Sequence, residues 1–380
     1  MTISTPAHTS WIDRLRAFIT LLVIAHHSAL AYFGPAIFNK DAYILSTHPV
    51  VDKHRWLALD GFIGFNDTFF MPLMFLISGL FTLPSLRRKG RALFIRDRFR
   101  RLFVPFLVAV TLFMWIAYYP AWLLAGKPPG IRDYLIDFFT VEAWPVGPPW
   151  FIWVLFLFNI ITALLYSPLL SLLTFAAGHI RKRPFTAVLS LFVLSMLLYV
   201  PAALVLGSYT WTGVGPFDFQ KSRLLLYFGY FLLGATIGIT DFDKGLFSAD
   251  SLFVRRWPLW ITASLAAYLL QLRAVGVYQY NIAFATTMAT ASIAALTTFK
   301  ALTVGTSRIW QSLSGNAYGM YLVHYVFVVW LQYGLLPFDW SAGIKFMLVF
   351  ILSTLASWVT AGMFRAIGGP KTKVPARAGT

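Results

Sequence analysis

Ten apolar stretches, most of them about as long as a bilayer crossing, recur along this 380-residue chain. A hydrocarbon core about 30 Å thick takes roughly twenty helical residues per crossing. Every backbone amide inside it must be satisfied within the segment or in a closed barrel. The stretches lie near 17–34, 59–83, 102–124, 150–173, 185–206, 224–240, 257–273, 281–299, 313–336 and 344–363. They predict an all-α integral membrane protein of about ten transmembrane helices. Charged residues are only 12% of the chain and hydrophobic ones 58%, whereas soluble domains carry roughly a quarter charged residues. A single water-soluble globule is excluded. Residues 1–367 read as one transmembrane domain, and the Pro/Gly/Lys-rich stretch 368–380 as a disordered cytoplasmic tail.

The formal net charge of +17 is read against the bilayer rather than against nucleic acid. With both termini cytoplasmic, 22 of the 31 Lys and Arg fall on the inner side, eight of them between Arg87 and Arg101. That bias predicts both termini inside and an even number of spans. Arg14, Arg16, an apolar run and Ala29-Leu30-Ala31 imitate a cleavable signal peptide. His26-His27 interrupts the apolar core and cleavage would break the parity, so the first helix reads as retained. Cysteine is absent, which excludes disulfides, thiolate zinc and an acyl-thioester on the protein. No phosphate-binding loop, dinucleotide fingerprint, helical His pair at metal spacing or nucleophile elbow occurs, so no metal or permanently bound cofactor is expected.

Ionisable groups within hydrocarbon are functional candidates. Eleven residues separate Arg16 from His27; at about 100° per residue this is about 20° beyond three turns, with a rise of about 16 Å. Both therefore share one face, with Arg16 at the cytoplasmic rim and His27 expected near the midplane. A buried neutral imidazole can accept a proton from a hydroxyl. In the second helix, Asn66 and Asp67 are expected near the same depth, where a carboxylate can fix the imidazole tautomer as in a triad; bridging neighbouring helices is the alternative. Ser78-Gly79 permits close packing or backbone contact with a ligand. Arg98, Arg100 and Arg101 at the start of the third span can grip a phosphorylated ligand, or serve only orientation and anionic lipid. His324 falls near the centre of the ninth span as a second imidazole, to contact an acceptor, carry a proton or bond a neighbouring helix. Glu142, Trp144 and Trp150 form either a sugar-facing rim or an interfacial aromatic belt.

Several pieces resemble a known family, the membrane acyltransferase three family, which moves acyl groups onto cell-envelope sugars. They are Asp13-Arg14-Leu15-Arg16 with His27, Phe75-Leu76-Ile77-Ser78-Gly79, Arg98-Phe99-Arg100-Arg101-Leu102 with Pro105, Pro149-Trp150-Phe151, and Tyr321-Leu322-Val323-His324. The last two look most like the branch that succinylates periplasmic glucans. Pro149-Trp150, where His or Leu often precedes the Trp, and Pro72 within the second helix depart from the family pattern. The resemblance implies a ten-helix fold, acyl-CoA as cytoplasmic co-substrate, a periplasmic glycan acceptor and a central catalytic His27.

Both lines meet in one expectation. Arg14, Arg16, Ser78, Arg98, Arg100 and Arg101 hold the donor while its pantetheine arm runs up the Arg16–His27 face. His27 is the general base for transfer of a succinyl or acetyl group, with Asp67 and Asn66 beside it. His324, Trp150 and Glu142 meet the acceptor. The alternative is a glycan exporter or flippase using the same polar groups for sugar or protons.

Overall fold

The computed structural model describes residues 10–368 apart from 241 and 306; the expected tail lies outside the described residues. The chain is a multi-pass, all-α membrane protein whose β-structure, among the described residues, is a two-rung ladder, β1 (Trp211–Thr212) against β2 (Phe219–Gln220). In order the helices are α1 (Ser10–Leu30), α2 (Leu57–Leu80), α3 (Thr82–Lys89), α4 (Arg91–Leu124), α5 (Ile131–Thr140), α6 (Trp150–Leu164), α7 (Tyr166–Lys182), α8 (Phe185–Leu206), α9 (Leu224–Gly238), α10 (Leu252–Arg255), α11 (Trp257–Leu272), α12 (Val277–Leu302), α13 (Arg308–Leu335) and α14 (Ala342–Gly368). Every expected apolar stretch coincides with helix. By length and composition, five helical stretches among the described residues can cross a membrane: Leu57–Lys89, Arg91–Leu124, Phe185–Leu206, Val277–Leu302 and Ala342–Ile367. Taking α6 and α7 as one span makes six.

The expected fourth span is not straight. α6 and α7 meet at 94° around Leu165. Pro168 has no amide to offer the Leu164 carbonyl, so the helix cannot run on, while proline is tolerated in the first turn of the new one.

α1 is the central helix, packed against α2, α12, α13 and α14. Trp11, Ile12, Leu15, Ile19, Val23 and Ile24 are buried around it. α4 is wound wide at Phe99–Phe103 and Ala109–Phe113, where π-type bonding interrupts the α pattern, a device common near functional sites. The carbonyls this frees are answered from elsewhere. Pro105 has no amide for the Arg101 carbonyl, which instead accepts the Tyr318 hydroxyl at 2.9 Å. Pro120 likewise frees the Ile116 carbonyl, which accepts Trp330 Nε1–H at 2.9 Å. The Met114 amide turns to Ala109, leaving the Val110 carbonyl to Trp144 Nε1–H at 3.0 Å. The first of these bonds fixes the basic N-terminal half of α4 against α13, the second ties its C-terminal half to the same helix, and the third ties it to the segment before α6.

α2 and α9 run parallel at backbone contact. Gly234-Ala-Thr-Ile-Gly238 is a small-xxx-small pattern of the kind that lets membrane helices approach closely. A Cβ on Gly234 would collide with the Leu76 carbonyl, one on Gly238 with that of Leu80, and one on Gly79 with that of Phe231. Of the Ser78-Gly79 pair, the glycine therefore packs. Gly234→Ala is expected to cost about 1–3 kcal/mol, lowering the thermal midpoint and the monodisperse fraction in detergent. Gly178→Ala in α7, where a Cβ meets open space, is expected to leave both unchanged.

Candidate active site

Four of the chain's seven histidines gather where the last turn of α1 meets α13 and the segment between α1 and α2. His324 Nδ1 lies 2.7 Å from the Tyr321 carbonyl, which only accepts, so that nitrogen carries the proton. His324 Nε2 is then an acceptor, 3.1 Å from His27 Nδ1. His27 Nδ1 also lies 2.9 Å from the Val23 carbonyl. It must be the protonated nitrogen, shared between the two acceptors. His27 Nε2 is left with its lone pair, the form a general base needs. The Tyr325 ring stands edge-on to His27, with centroids 5.2 Å apart.

His27 is in the last turn of α1 rather than at mid-helix, because the helix both begins and ends earlier than the expected stretch, at Ser10 and Leu30. A helix end leaves carbonyls without intrahelical partners. Here Gln332 Nε2 donates to the carbonyls of His27 and Ser28 at 3.0 and 3.1 Å. The Gln332 Oε1 in turn accepts His48 Nε2–H at 2.7 Å, and the Tyr325 hydroxyl faces His48 Nδ1 at 3.4 Å.

His48 belongs to an ordered cover formed by residues 31–56. Asp52 meets Lys345 of α14 at 2.6 Å with both side chains buried. Arg55 donates to the carbonyls of Ala31 and Ala36, and Asp60 accepts the Gly34 amide. Burial pushes the Asp52 carboxyl up, but bonds from the His54 amide, Lys345 and the His54 ring outweigh it and hold it below the usual carboxylate range.

At the opposite end of α1, a cleft of about 490 Å³ is lined by Arg16, Ser78, Arg98, Arg101, Asn159 and Tyr318 among others. It adjoins a chamber of about 220 Å³ that shares Phe81, Arg98 and Arg101 and adds Arg88 and Lys89. Lys89 pairs with Asp97. A narrow extension of about 50 Å³ shares Arg16 and Tyr318 with the main cleft and is lined by Thr20, Val23, Met71, Met74, Phe151 and Tyr321. Arg16, Thr20, Val23 and His27 occupy successive turns of one face. The cavity thus leads from guanidinium groups to Val23, whose carbonyl holds His27. Buried Arg98 Nε and Asn159 Oδ1 have no partner among the described residues.

Other expected residues are placed differently. Asp67 does not orient His27: Arg223 takes both of its carboxylate oxygens, at 2.8 and 3.2 Å, and its carbonyl at 3.3 Å. The Arg223 guanidinium lies between the Tyr209 and Phe284 rings. Asn66 is buried, its Nδ2 without a partner among the described residues. It stands one turn from Phe70, which packs on His26. His324 is buried against His27 rather than open to an acceptor. Glu142 is 1% exposed because its carboxylate accepts the amides of Tyr43 and Ile44 at 3.2 and 2.7 Å. Burial raises its carboxyl above the usual range. Trp150 is embedded among Phe75, Tyr227 and Trp211. Arg14 donates to the Gly305 carbonyl, and Arg100 is exposed without lining the cleft.

Sequence reasoning missed His48, Tyr325 and Gln332. Tyr321, Tyr325 and Gln332 share one stripe of α13 at steps of four and seven, a periodicity that marks a polar face. His48 sits outside regular helix and has no such signal.

The profile of a family described as an acyltransferase domain matches residues 9–362. The chain belongs to this acyltransferase family. Among its relatives are the proteins named glucans biosynthesis protein C from Shigella dysenteriae serotype 1 and Escherichia coli O139:H28, each 25% identical over 275 residues, and that of E. coli K12, 24% identical over the same length. Each match covers 69% of this chain and 66% of the relative, just under two thirds of its length. No solved structure matches the chain.

Breaking the buried Asp52–Lys345 pair should open the cover. Lys345→Met is expected to destabilise by about 3–5 kcal/mol and to speed amide exchange across residues 31–56, while Asp52→Asn/Lys345→Met recovers much of the loss. Because the Asp52 carboxyl is held low, its contribution is present above the ordinary carboxylate range and is lost as pH falls through the depressed value. Wild-type exchange protection is therefore expected to persist at pH 5 and to fall only in stronger acid.

Proposed function

We propose that this protein is a bacterial inner-membrane O-acyltransferase of ten spans, with both termini cytoplasmic. It moves an acyl group of the acetyl or succinyl type from cytoplasmic acyl-CoA to a hydroxyl of a periplasmic glycan. The observation that carries this reading is the arrangement of His27: its Nε2 retains a lone pair, and its helix face descends into an arginine-lined cleft. The names of the relatives, which refer to glucan biosynthesis, support a glucan as acceptor.

In this mechanism Arg16, Arg98 and Arg101 hold the donor phosphates through charge-assisted hydrogen bonds. Ser78 and Asn159 offer polar contacts beside them. The pantetheine arm follows Thr20 and Val23 toward His27. The acceptor hydroxyl gives its proton to His27 Nε2 as its oxygen attacks the thioester carbon. The tetrahedral intermediate collapses with cleavage of the C–S bond, and the proton on His27 passes to the departing sulfur. The unpartnered amide of Asn66 is proposed to stabilise the oxyanion. His324 acts through His27, holding the proton on Nδ1 and accepting more strongly from that N–H when the imidazolium forms. Asp67 acts at a distance, by tying α2 to Arg223.

Purified protein supplied with acetyl-CoA or succinyl-CoA and a soluble β-glucan is expected to release CoA and yield O-acylated glucan by mass analysis. Export without acyl-CoA consumption would instead favour a transporter. His27→Ala should lose about 10²–10⁴-fold in kcat while remaining folded in the membrane. His324→Ala should lower kcat with donor KM little changed. His324→Gln, whose amide oxygen can accept the His27 Nδ1 proton, should recover part of the loss; a purely structural His324 would not give that split. Arg98→Gln/Arg101→Gln should raise donor KM by tenfold or more, about the loss of one charge-assisted bond, with kcat near wild type.

A further inference from the structure

A second basic crevice shares none of the lining of the proposed donor cleft. It lies between the α7–α8 junction, Thr240 just past α9, and the segment that leads through α10 into α11. Two chambers of about 210 and 300 Å³ meet at Pro184, Gly245 and Leu246. Arg181 and Lys244 line one and Arg256 the other. The parallel contact of Leu76 with Gly234 and Leu80 with Gly238 puts the C-terminal end of α9 level with that of α2. Both cavities therefore occupy the same end of the bundle.

The crevice wall has two chemistries. The three cations are exposed, while Phe185 and Leu252 beside them are 68% and 63% exposed. Trp260, an amphipathic ring of the type that settles at headgroup level, completes the wall. Phe185 begins α8, a helix long and apolar enough to cross the membrane, so this apolar edge continues onto a lipid-facing surface. α7 turns from α6 by 94°. It exposes Leu172 and Phe175 and ends in Arg181-Lys182-Arg183, the pattern of a helix lying in the membrane interface.

We propose that this crevice is a binding site for an anionic phospholipid. Its headgroup phosphate would sit among Arg181, Lys244 and Arg256, and its acyl chains would run over Phe185 and Leu252 along α8. A soluble phosphate explains the cations alone; the adjoining apolar wall matches the chains of a lipid. Basic pockets between membrane helices recognise acidic headgroups in this way.

The test is lipid retention by the full-length protein. Delipidated protein in mixed micelles of phosphatidylglycerol and phosphatidylcholine is analysed by native mass spectrometry, and its thermal midpoint is measured with each lipid separately. Wild type is expected to retain phosphatidylglycerol over phosphatidylcholine by roughly tenfold or more, and to be stabilised by the former only. Each lost cation should weaken that preference by about fivefold, so Arg181→Gln/Arg256→Gln should abolish it. Equal retention of both lipids by wild type would overturn the proposal without any variant. An undiminished preference in the folded double variant, or equal stabilisation by inorganic phosphate or glycerol 3-phosphate, would also refute it.

Discussion

The contact between His324 Nε2 and His27 Nδ1 depends on two carbonyls that belong to neither imidazole. The Tyr321 carbonyl fixes the proton of one ring and the Val23 carbonyl that of the other. With both Nδ1 positions committed, the tautomers follow, and one lone pair, on His27 Nε2, is released for use. A carboxylate partner, as in a serine-protease triad, would also orient His27 but would bring a buried charge with it. The neutral imidazole orients without that cost and is polarisable when His27 gains a proton. The Asp67–Arg223 pair stands aside from this arrangement, and both of its carboxylate oxygens are engaged by the guanidinium.

Placing the proposed base at a helix end creates its own difficulty, because the last carbonyls of α1 lose intrahelical donors. Gln332 answers two of them and is itself oriented by His48. The cover from 31 to 56 is therefore coupled to the base through its polar accounting as well as by packing. The same logic operates in α4, where Pro105 and the π-type turns free carbonyls that α13 and Trp144 recapture. α13 thus touches both ends of the proposed reaction path: Tyr318 at the cleft, His324 and Gln332 at the base.

The helical architecture was legible because hydrocarbon demands long apolar helices, and the stripe from Arg16 to His27 because 3.6-residue periodicity fixes which side chains share a face. Arg98 and Arg101 were legible as a cationic cluster at a helix start. What escaped were pairings between residues far apart in sequence. Asp67 finds Arg223 and Glu142 finds the amides of Tyr43 and Ile44. Neither a carboxylate's depth nor its proximity to aromatic residues carries information about such partners. A place at the outer end of a span suggests a sugar-facing rim or an interfacial belt for Trp150, yet Trp211 and Tyr227 close over it. The break at Leu165 had a local signal in Pro168, masked by apolar residues on both sides.

The chemistry of the two sides of His27 is asymmetric in a way that bears on direction. Toward Arg16 the cavity is open and cationic, suited to a charged carrier whose phosphates never leave the aqueous rim. Val23, Met71, Met74 and Phe151 lining the extension offer nothing to a phosphate, which would lose its hydration and its guanidinium partners by advancing. On the other side, the cover is pinned by side-chain bonds to backbone groups, of a kind that a hydroxyl-rich acceptor can form. In the proposed reaction only the acyl group need pass the level of His27. The barrier to leakage of the carrier then arises from desolvation of its own charge, and no moving gate has to supply it.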